Sequence, residues 1–254
     1  MKLKRLQTNG HNSIAKRLKT NEPKCEEIFT NTDNSSECSS DSLASCSELV
    51  TKGIFLKTNV ELTKCLALDC EMVGVGHCYS NALARCSLVN YNGEVVVDVY
   101  VKPGQPVTDY RTKWSGIRRE DLKDGHCFDD VRKFVRKIIE GCILVGHALH
   151  SDLLALKLTH PRHLVRDTSK YCPIRGLAGL KQNMTPSLRD LAGILLNETI
   201  QDGEHCSVED ARATMSLYRL CESQWEKELR GELSNESYLS DMYWPSWTRN
   251  RHQT

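Results

Sequence analysis

Leu66-Ala67-Leu68-Asp69-Cys70-Glu71-Met72-Val73, an apolar run bounded downstream by Gly74 and Gly76, reads as a buried strand. Side chains two apart on a strand share a face, so Asp69 and Glu71 point the same way. Two carboxylates side by side at the end of an apolar element repel each other and lose hydration, which is costly unless a cation neutralises them. Magnesium, which prefers carboxylate and water oxygens, is the natural cation. Taken alone, the pair also reads as a solvated strand end at Glu71 with Asp69 capping a turn.

Two further segments bear on the choice. Gly141-Cys142-Ile143-Leu144-Val145-Gly146-His147 is a second short apolar strand, and Ala148 to Lys157 reads as a helix that starts near His150 or Ser151. Asp152 falls in the first turn, where the helix dipole favours a carboxylate with or without a catalytic task. His205-Cys206-Ser207-Val208-Glu209-Asp210-Ala211 leads into another helix, with apolar or small residues at Val208, Ala211, Met215 and Tyr218. Ser207 and Asp210 fit a capping box, which would explain Asp210 structurally, and His205 by itself is an ordinary loop histidine. Histidine is also the usual proton acceptor near neutral pH. Five residues before a helix-borne carboxylate, His205 can face an activated water while Asp210 faces a metal.

Asp69, Glu71, Asp152, His205 and Asp210 thus have the identities and order needed to hold two metal ions and activate a water. With their surroundings they resemble the DEDDh exonucleases of the ribonuclease H-like superfamily, in the branch of the interferon-stimulated exonuclease, the apoptosis-enhancing nuclease and RNA exonuclease 4. The resemblance runs from about Cys65 to Trp225. It is carried by Asp69 to Gly74, Leu83 to Val89, Asp109 to Thr112 with Trp114 to Gly116, Val145 to His147 and Ser207 to Ala211. It implies Asp69, Glu71, Asp152 and Asp210 as metal carboxylates for two Mg2+ or Mn2+, with His205 as general base. It further implies that Met72 and Arg111 contact the terminal nucleotide and its ribose, and that His147 and Ala148 form a loop beside the same pocket. Ser151 stands where many members of the wider superfamily carry an aromatic residue, but this branch usually has a polar one there.

The implied reaction is hydrolysis of single-stranded RNA to nucleoside 5′-monophosphates. Two cations roughly 3.5 to 4 Å apart would orient the water and stabilise the leaving 3′ oxygen, with no covalent enzyme intermediate. The 3′-to-5′ polarity comes from the resemblance alone. A DNA exonuclease of the same mechanism and a catalytically silent nucleic-acid-binding module are the alternatives. Arg111 and Met72 favour RNA if they read a ribose 2′ hydroxyl.

Composition adds extensions to one domain. Residues 1–24 are basic, with Lys2, Lys4, Arg5, Lys16, Arg17, Lys19 and Lys24 against Glu22 alone, and no apolar stretch follows as in a secretory signal. From Cys25 to Val50 there are six Asp or Glu, no Lys or Arg and many Ser, a composition that builds no core. The expected organisation is a disordered extension over 1–60, a nuclease domain over 61–230 and a polar, aromatic-bearing tail over 231–254. The basic clusters read as a nuclear or nucleolar address, a nucleic-acid arm, or a merely solvated tail. The 12 cysteines match no zinc template and are expected to be reduced. No run approaches the roughly 18 apolar residues of a membrane span.

In the body, Ala84 to Tyr91 and Glu94 to Val101 are apolar runs joined by Asn92-Gly93, a two-residue hairpin signal, so the first three strands should form an antiparallel meander. Phe128, Val131, Val135, Ile138 and Ile139 mark an amphipathic helix. A short strand near Leu164 to Asp167, a helix from Ser187 to Leu196 and a long final helix follow. The pattern predicts an α/β protein, a mixed sheet flanked by helices, which the resemblance makes a ribonuclease H-like fold. With a net charge of +1 the chain has no global positive field for nucleic acid. Tyr110 to Arg119, however, holds four cations, two aromatics and no acid, which suits phosphate contacts and base stacking on a single strand. A solvated basic loop with Trp114 buried in the core is the alternative.

Overall fold

A computed structural model of the chain describes residues 60–76, 80–181 and 183–231. The segments 1–59 and 232–254 lie outside the described residues, and with them the expectations of disorder, of a nuclear address and of an aromatic tail.

Strand β1 (Cys65–Val75) pairs antiparallel with β2 (Ser80–Asn90), and β2 with β3 (Val95–Lys102), the expected meander. Its turn differs from the expected two-residue hairpin. The Asn90 amide donates to the Glu94 carbonyl at 2.9 Å, leaving Tyr91 to Gly93 in the loop, and Gly93 takes a φ of 80°. The Asn90 side chain accepts from the amides of Asn92 and Glu94, and this local support selects the longer loop.

Two short strands escape notice in the sequence: β4 (Val107–Asp109), antiparallel to β1, and β5 (His126–Cys127), parallel to β3. Then β6 (Ile143–Gly146) runs parallel to β1, and β7 (Val165–Asp167) parallel to β6. The sheet order is β5-β3-β2-β1-β6-β7, with β4 on the far stretch of β1.

Helices cover both faces. Leu66, Leu68 and Cys70 of β1 face a core completed by Val131, Phe134, Val135 and Ile138 of α2 (Phe128–Ile139) and by α3 (His150–Ala155), which is shorter than expected. The four-residue α1 (Thr112–Ser115) precedes these in the basic loop. Cys65 and Ala67 face the other core, with α4 (Cys172–Leu177), α5 (Leu188–Leu191) and α6 (Ser207–Leu229). The expected helix to Leu196 opens after Leu191 into a π-turn over Ala192–Leu196. On the α6 side Trp225 stacks on Tyr171 with ring centroids 3.8 Å apart. Strand alternation therefore places Asp69 and Glu71 on the face that α6 covers. Among the described residues no helix is long and apolar enough to cross a membrane, and Cys65, Cys70, Cys86, Cys127, Cys142, Cys172, Cys206 and Cys221 are free thiols.

Candidate active site

Register explains how carboxylates far apart in sequence meet. β1 pairs with β6 only over Cys65 to Ala67, so Asp69 and Glu71 lie just beyond the point where β6 ends. The chain leaving β6 turns immediately into α3, because a Cβ on Gly146 would sit 2.5 Å from Leu149 Cδ1. Only glycine permits so tight an entry. Asp152, in the first turn of α3, then accepts the Cys70 amide on Oδ1 at 3.1 Å, between the two β1 carboxylates in sequence. From the α6 side comes Asp210. Ligand oxygens of Asp69, Glu71 and Asp210 all lie within 4.8 Å of one another.

The electrostatics of this cluster favour a cation. Burial, then the charges of Asp152, Asp210 and Glu71, hold Asp69 well above the usual carboxylate range. Glu71 is pushed up to about 8 by burial and by Asp210, against the opposing pull of Arg85. Burial also raises Asp152, with Asp167 adding to the effect, and raises Asp210 despite help from Gln201 and His205. Glu71 Oε1 and Asp210 Oδ1 are buried without a hydrogen-bond partner. Orphaned carboxylate oxygens of this kind are rare unless a ligand satisfies them. An oxygen-only, multiply charged donor set suits Mg2+ or Mn2+ rather than a thiophilic metal.

His205 stands beside this cluster, Nδ1 at 3.9 Å from Asp210 Oδ2 and about a third exposed. Its amide donates to the Trp114 carbonyl at 2.8 Å, and Glu204 next to it takes two bonds from Arg118, at 2.7 and 2.9 Å. Gly116 has a φ of 65°, and a Cβ there would meet the His205 carbonyl at 2.8 Å. The basic loop and the histidine loop are thus packed backbone to backbone. The capping box expected of Ser207 and Asp210 does not form. Ser207 Oγ instead bonds Ser87 Oγ of β2 at 2.7 Å in a buried pair, and the N-cap, Cys206, has no side-chain cap. The Asp210 carboxylate is thereby left to the site.

The four substrate-contact candidates sit around this centre rather than in it. Met72 follows a bulge after Glu71 and packs partly buried against the α2 and α3 core. Arg111, at a φ of 54°, bonds Asn81 Oδ1 at 2.7 Å and passes over Gly74, three residues beyond Glu71. His147 uses both ring nitrogens on the protein, Nδ1 to Thr168 Oγ1 at 3.0 Å and Nε2 to the Pro186 carbonyl at 3.1 Å. Burial lowers its pKa, and any ligand contact falls to the ring face. Ala148 has a φ of 59°, and its backbone N–H donates a hydrogen bond to Asp167 Oδ1 at 2.9 Å.

Three supporting residues were not anticipated. Gln201, at a φ of 54°, donates from Nε2 to Asp210 Oδ2 at 2.8 Å, which leaves Oδ1 for a ligand. Asp167, buried at the end of β7, fixes Ala148 and Ser169 with Oδ1 and keeps Oδ2 without a partner. Arg85 lies opposite Glu71 in the sheet, bonds Asp98 twice at 2.8 and 3.0 Å and reaches Cys206 Sγ at 3.6 Å. Only Arg85, inside the quoted Leu83 to Val89 block, left a trace in the sequence. Gln201 and Asp167 sit in loop and strand-end contexts that periodicity does not distinguish. In the basic loop, Trp114 is 59% exposed, with Lys113 Nζ 5.6 Å from its ring, so it is not a core residue.

Comparison with known proteins agrees with this geometry. The chain is 43% identical over 199 residues to the human apoptosis-enhancing nuclease, covering 72% of this chain and 61% of that protein. It is 51% identical over 166 residues to mouse RNA exonuclease 4, covering 65% of this chain and 38% of that one. Among solved structures, the Saccharomyces cerevisiae Pan2 pseudoubiquitin hydrolase and RNA exonuclease module in complex with AAUUAA RNA superposes with a TM-score of 0.54 at 30% identity. That match covers 68% of this chain and 31% of the solved module's chain. The chain therefore spans less than two thirds of each of these proteins. The profile described as Exonuclease, of the ribonuclease T type, matches residues 66–218. With a ribonuclease H-like sheet and its acidic centre in place, the chain belongs to the exonuclease family, in the DEDDh branch that holds these relatives.

Proposed function

We propose that the chain is a metal-dependent 3′-to-5′ exonuclease that releases nucleoside 5′-monophosphates from single-stranded RNA. One observation carries the reading: Asp69, Glu71 and Asp210 converge within 4.8 Å, with buried, unpartnered oxygens on Glu71 and Asp210. These carboxylates, with Asp152 beside them, would hold two Mg2+ or Mn2+, which when bound supply charge neutralisation at the scissile phosphate and acidify the attacking water.

The protein's own groups do the rest. His205 has Nδ1 turned toward Asp210, and Nε2, without a partner among the described residues, takes the proton as water attacks phosphorus and the bond to the 3′ oxygen breaks. The leaving oxygen is protonated from solvent. The Trp114 carbonyl and the Arg118–Glu204 pair fix the histidine's backbone, so the base is held in place before substrate arrives. Arg111 and exposed Trp114 offer a cation and a stacking face to the strand. RNA is preferred over DNA because the similar proteins include RNA exonucleases and an RNA-bound structure. A nuclear or nucleolar location is proposed from the basic clusters Lys2 to Arg5 and Lys16 to Lys19. Unchanged nuclear accumulation after deletion of residues 1–24 would remove that part of the reading.

The test is degradation of matched 5′-labelled single-stranded RNA and DNA in manganese, with Asp69→Asn and His205→Ala as controls. Stepwise shortening of RNA with slow DNA loss, absent in both folded variants, is expected. Immediate release of labelled mononucleotide would reverse the polarity, faster DNA loss would reassign the substrate, and full activity in either variant would sink the mechanism.

A further inference from the structure

The four cations of the basic loop do not share one task. Arg111 lies over Gly74 of β1, Lys113 sits over the Trp114 ring, and Arg118 is committed to Glu204. Arg119 points elsewhere. Together with Lys102 and Lys123 it lines a cleft of about 780 Å3, whose wall is the Pro103 to Val107 segment and whose edge is Tyr110. All three cations are exposed, and none has an ion-pair partner among the described residues. One acid, Glu120, lines the cleft with them. The neighbouring Asp121 is turned away to the Arg118 amide at 2.7 Å. Three positive charges against one negative leave two in excess on this surface, in a chain whose net charge is only +1. Such local, unneutralised charge attracts a polyanion where the molecule as a whole does not.

Position adds to charge. Tyr110 and Arg119 line the cleft, while the residues next to them, Arg111 and Arg118, reach Gly74 of β1 and the His205 loop respectively. The Tyr110–Arg119 loop therefore forms the partition between the cleft and the His205 loop, whose amide bonds the Trp114 carbonyl, and Trp114, 59% exposed, lies on it. We propose that this cleft is a second contact site for the same strand, binding the phosphate backbone upstream of the 3′ end once the strand has crossed the partition at Trp114. The proposal rests on the exonuclease reading above. It makes the enzyme length-sensitive: a strand long enough to reach Lys102, Arg119 and Lys123 is held tightly, whereas a dinucleotide is held at the metal centre alone.

The experiment compares Lys102→Glu/Lys123→Glu with the parent full-length chain. Degradation of the long RNA and hydrolysis of a dinucleotide by the parent are measured first, and breakdown of neither would mark failure of the exonuclease reading by itself. Binding of labelled RNA of about 20 nucleotides is then followed across a salt series in chains that also carry Asp69→Asn. Each lost phosphate contact lowers the slope of log K against log salt by about 0.7 for single strands, so two lost contacts remove about 1.4. The expected result is at least tenfold weaker binding of the long RNA with that shallower slope, a raised KM for long substrate, and dinucleotide turnover unchanged. Unchanged long-RNA affinity and slope would overturn the proposal. So would an equal loss on long and short RNA, which marks a general field. Weakened binding of a polyglutamate chain with RNA binding intact would overturn it in favour of an acidic protein partner.

Discussion

Glu71→Gln should make the metal-free protein more stable while it abolishes turnover. Glu71 is 7% exposed, and burial, then Asp210, push its carboxyl from 4.5 to about 8. A carboxyl whose folded pKa is raised stabilises the fold below its unfolded pKa and loses that contribution as pH climbs through the folded value. Between about 4.5 and about 8, the folded chain keeps a proton that the unfolded chain has released, so stability falls as pH rises. At about 1.4 kcal/mol for each pH unit, the ceiling is about 5 kcal/mol. Relaxation and water entry remove about half of an interior electrostatic cost, leaving ~2–3 kcal/mol.

Glutamine keeps the shape of the side chain and removes the charge. In EDTA at high pH the variant should therefore melt roughly 5–10 °C above the parent, and the gap should close toward the acid end of the window. Added Mg2+ should then favour the parent, which binds it better. Thermal unfolding by circular dichroism at several pH values, with chelator and with magnesium, reads all of this. A variant no more stable than the parent at high pH in chelator would refute the view that Glu71 is held in uncompensated charge conflict.

Gln201→Ala should weaken Mn2+ binding and slow turnover by about 10- to 100-fold, because the amide that orients Asp210 Oδ2 at 2.8 Å is lost. Calorimetric titration with Mn2+ checks it, and unchanged affinity would leave Gln201 a loop residue only. Gly116→Ala should lower kcat with little loss of stability beyond ~1–2 kcal/mol, since the new methyl pushes on the His205 carbonyl 2.8 Å away; an active variant with normal kcat would show that the histidine loop tolerates displacement. Trp225→Ala, which removes a ring 1% exposed and stacked on Tyr171, should cost about 3–5 kcal/mol in urea unfolding. A loss below about 1 kcal/mol would mean the α6 core repacks around the gap.

Sequence by itself determined the parts that depend on local pattern. The apolar run with alternating acids announced β1 and the shared face of Asp69 and Glu71, because a two-residue period is a property of the strand alone. The 3.6-residue period of Phe128 to Ile139 announced α2. The order of Asp69, Glu71, Asp152, His205 and Asp210, with the blocks around them, carried the family. What periodicity could not carry was pairing. The two-residue strand β5 and three-residue strand β4 hold no readable pattern, and the Asn90 side chain lengthened a turn that Asn92-Gly93 alone would have made tighter.

Tertiary structure decided which polar groups answer one another. Ser207 reads as a cap in sequence, yet a buried hydroxyl takes its partner from whatever strand lies opposite, here Ser87 on β2. Gln201 and Asp167 became visible only when the chain brought them to Asp210 and Ala148. Arg118 and Arg119, adjacent and alike in sequence, were sent to an ion pair and to an open cleft. Local steric and hydrophobic periods are written along the chain, whereas hydrogen bonds and charge pairs between distant segments are settled only by the fold that brings them within reach.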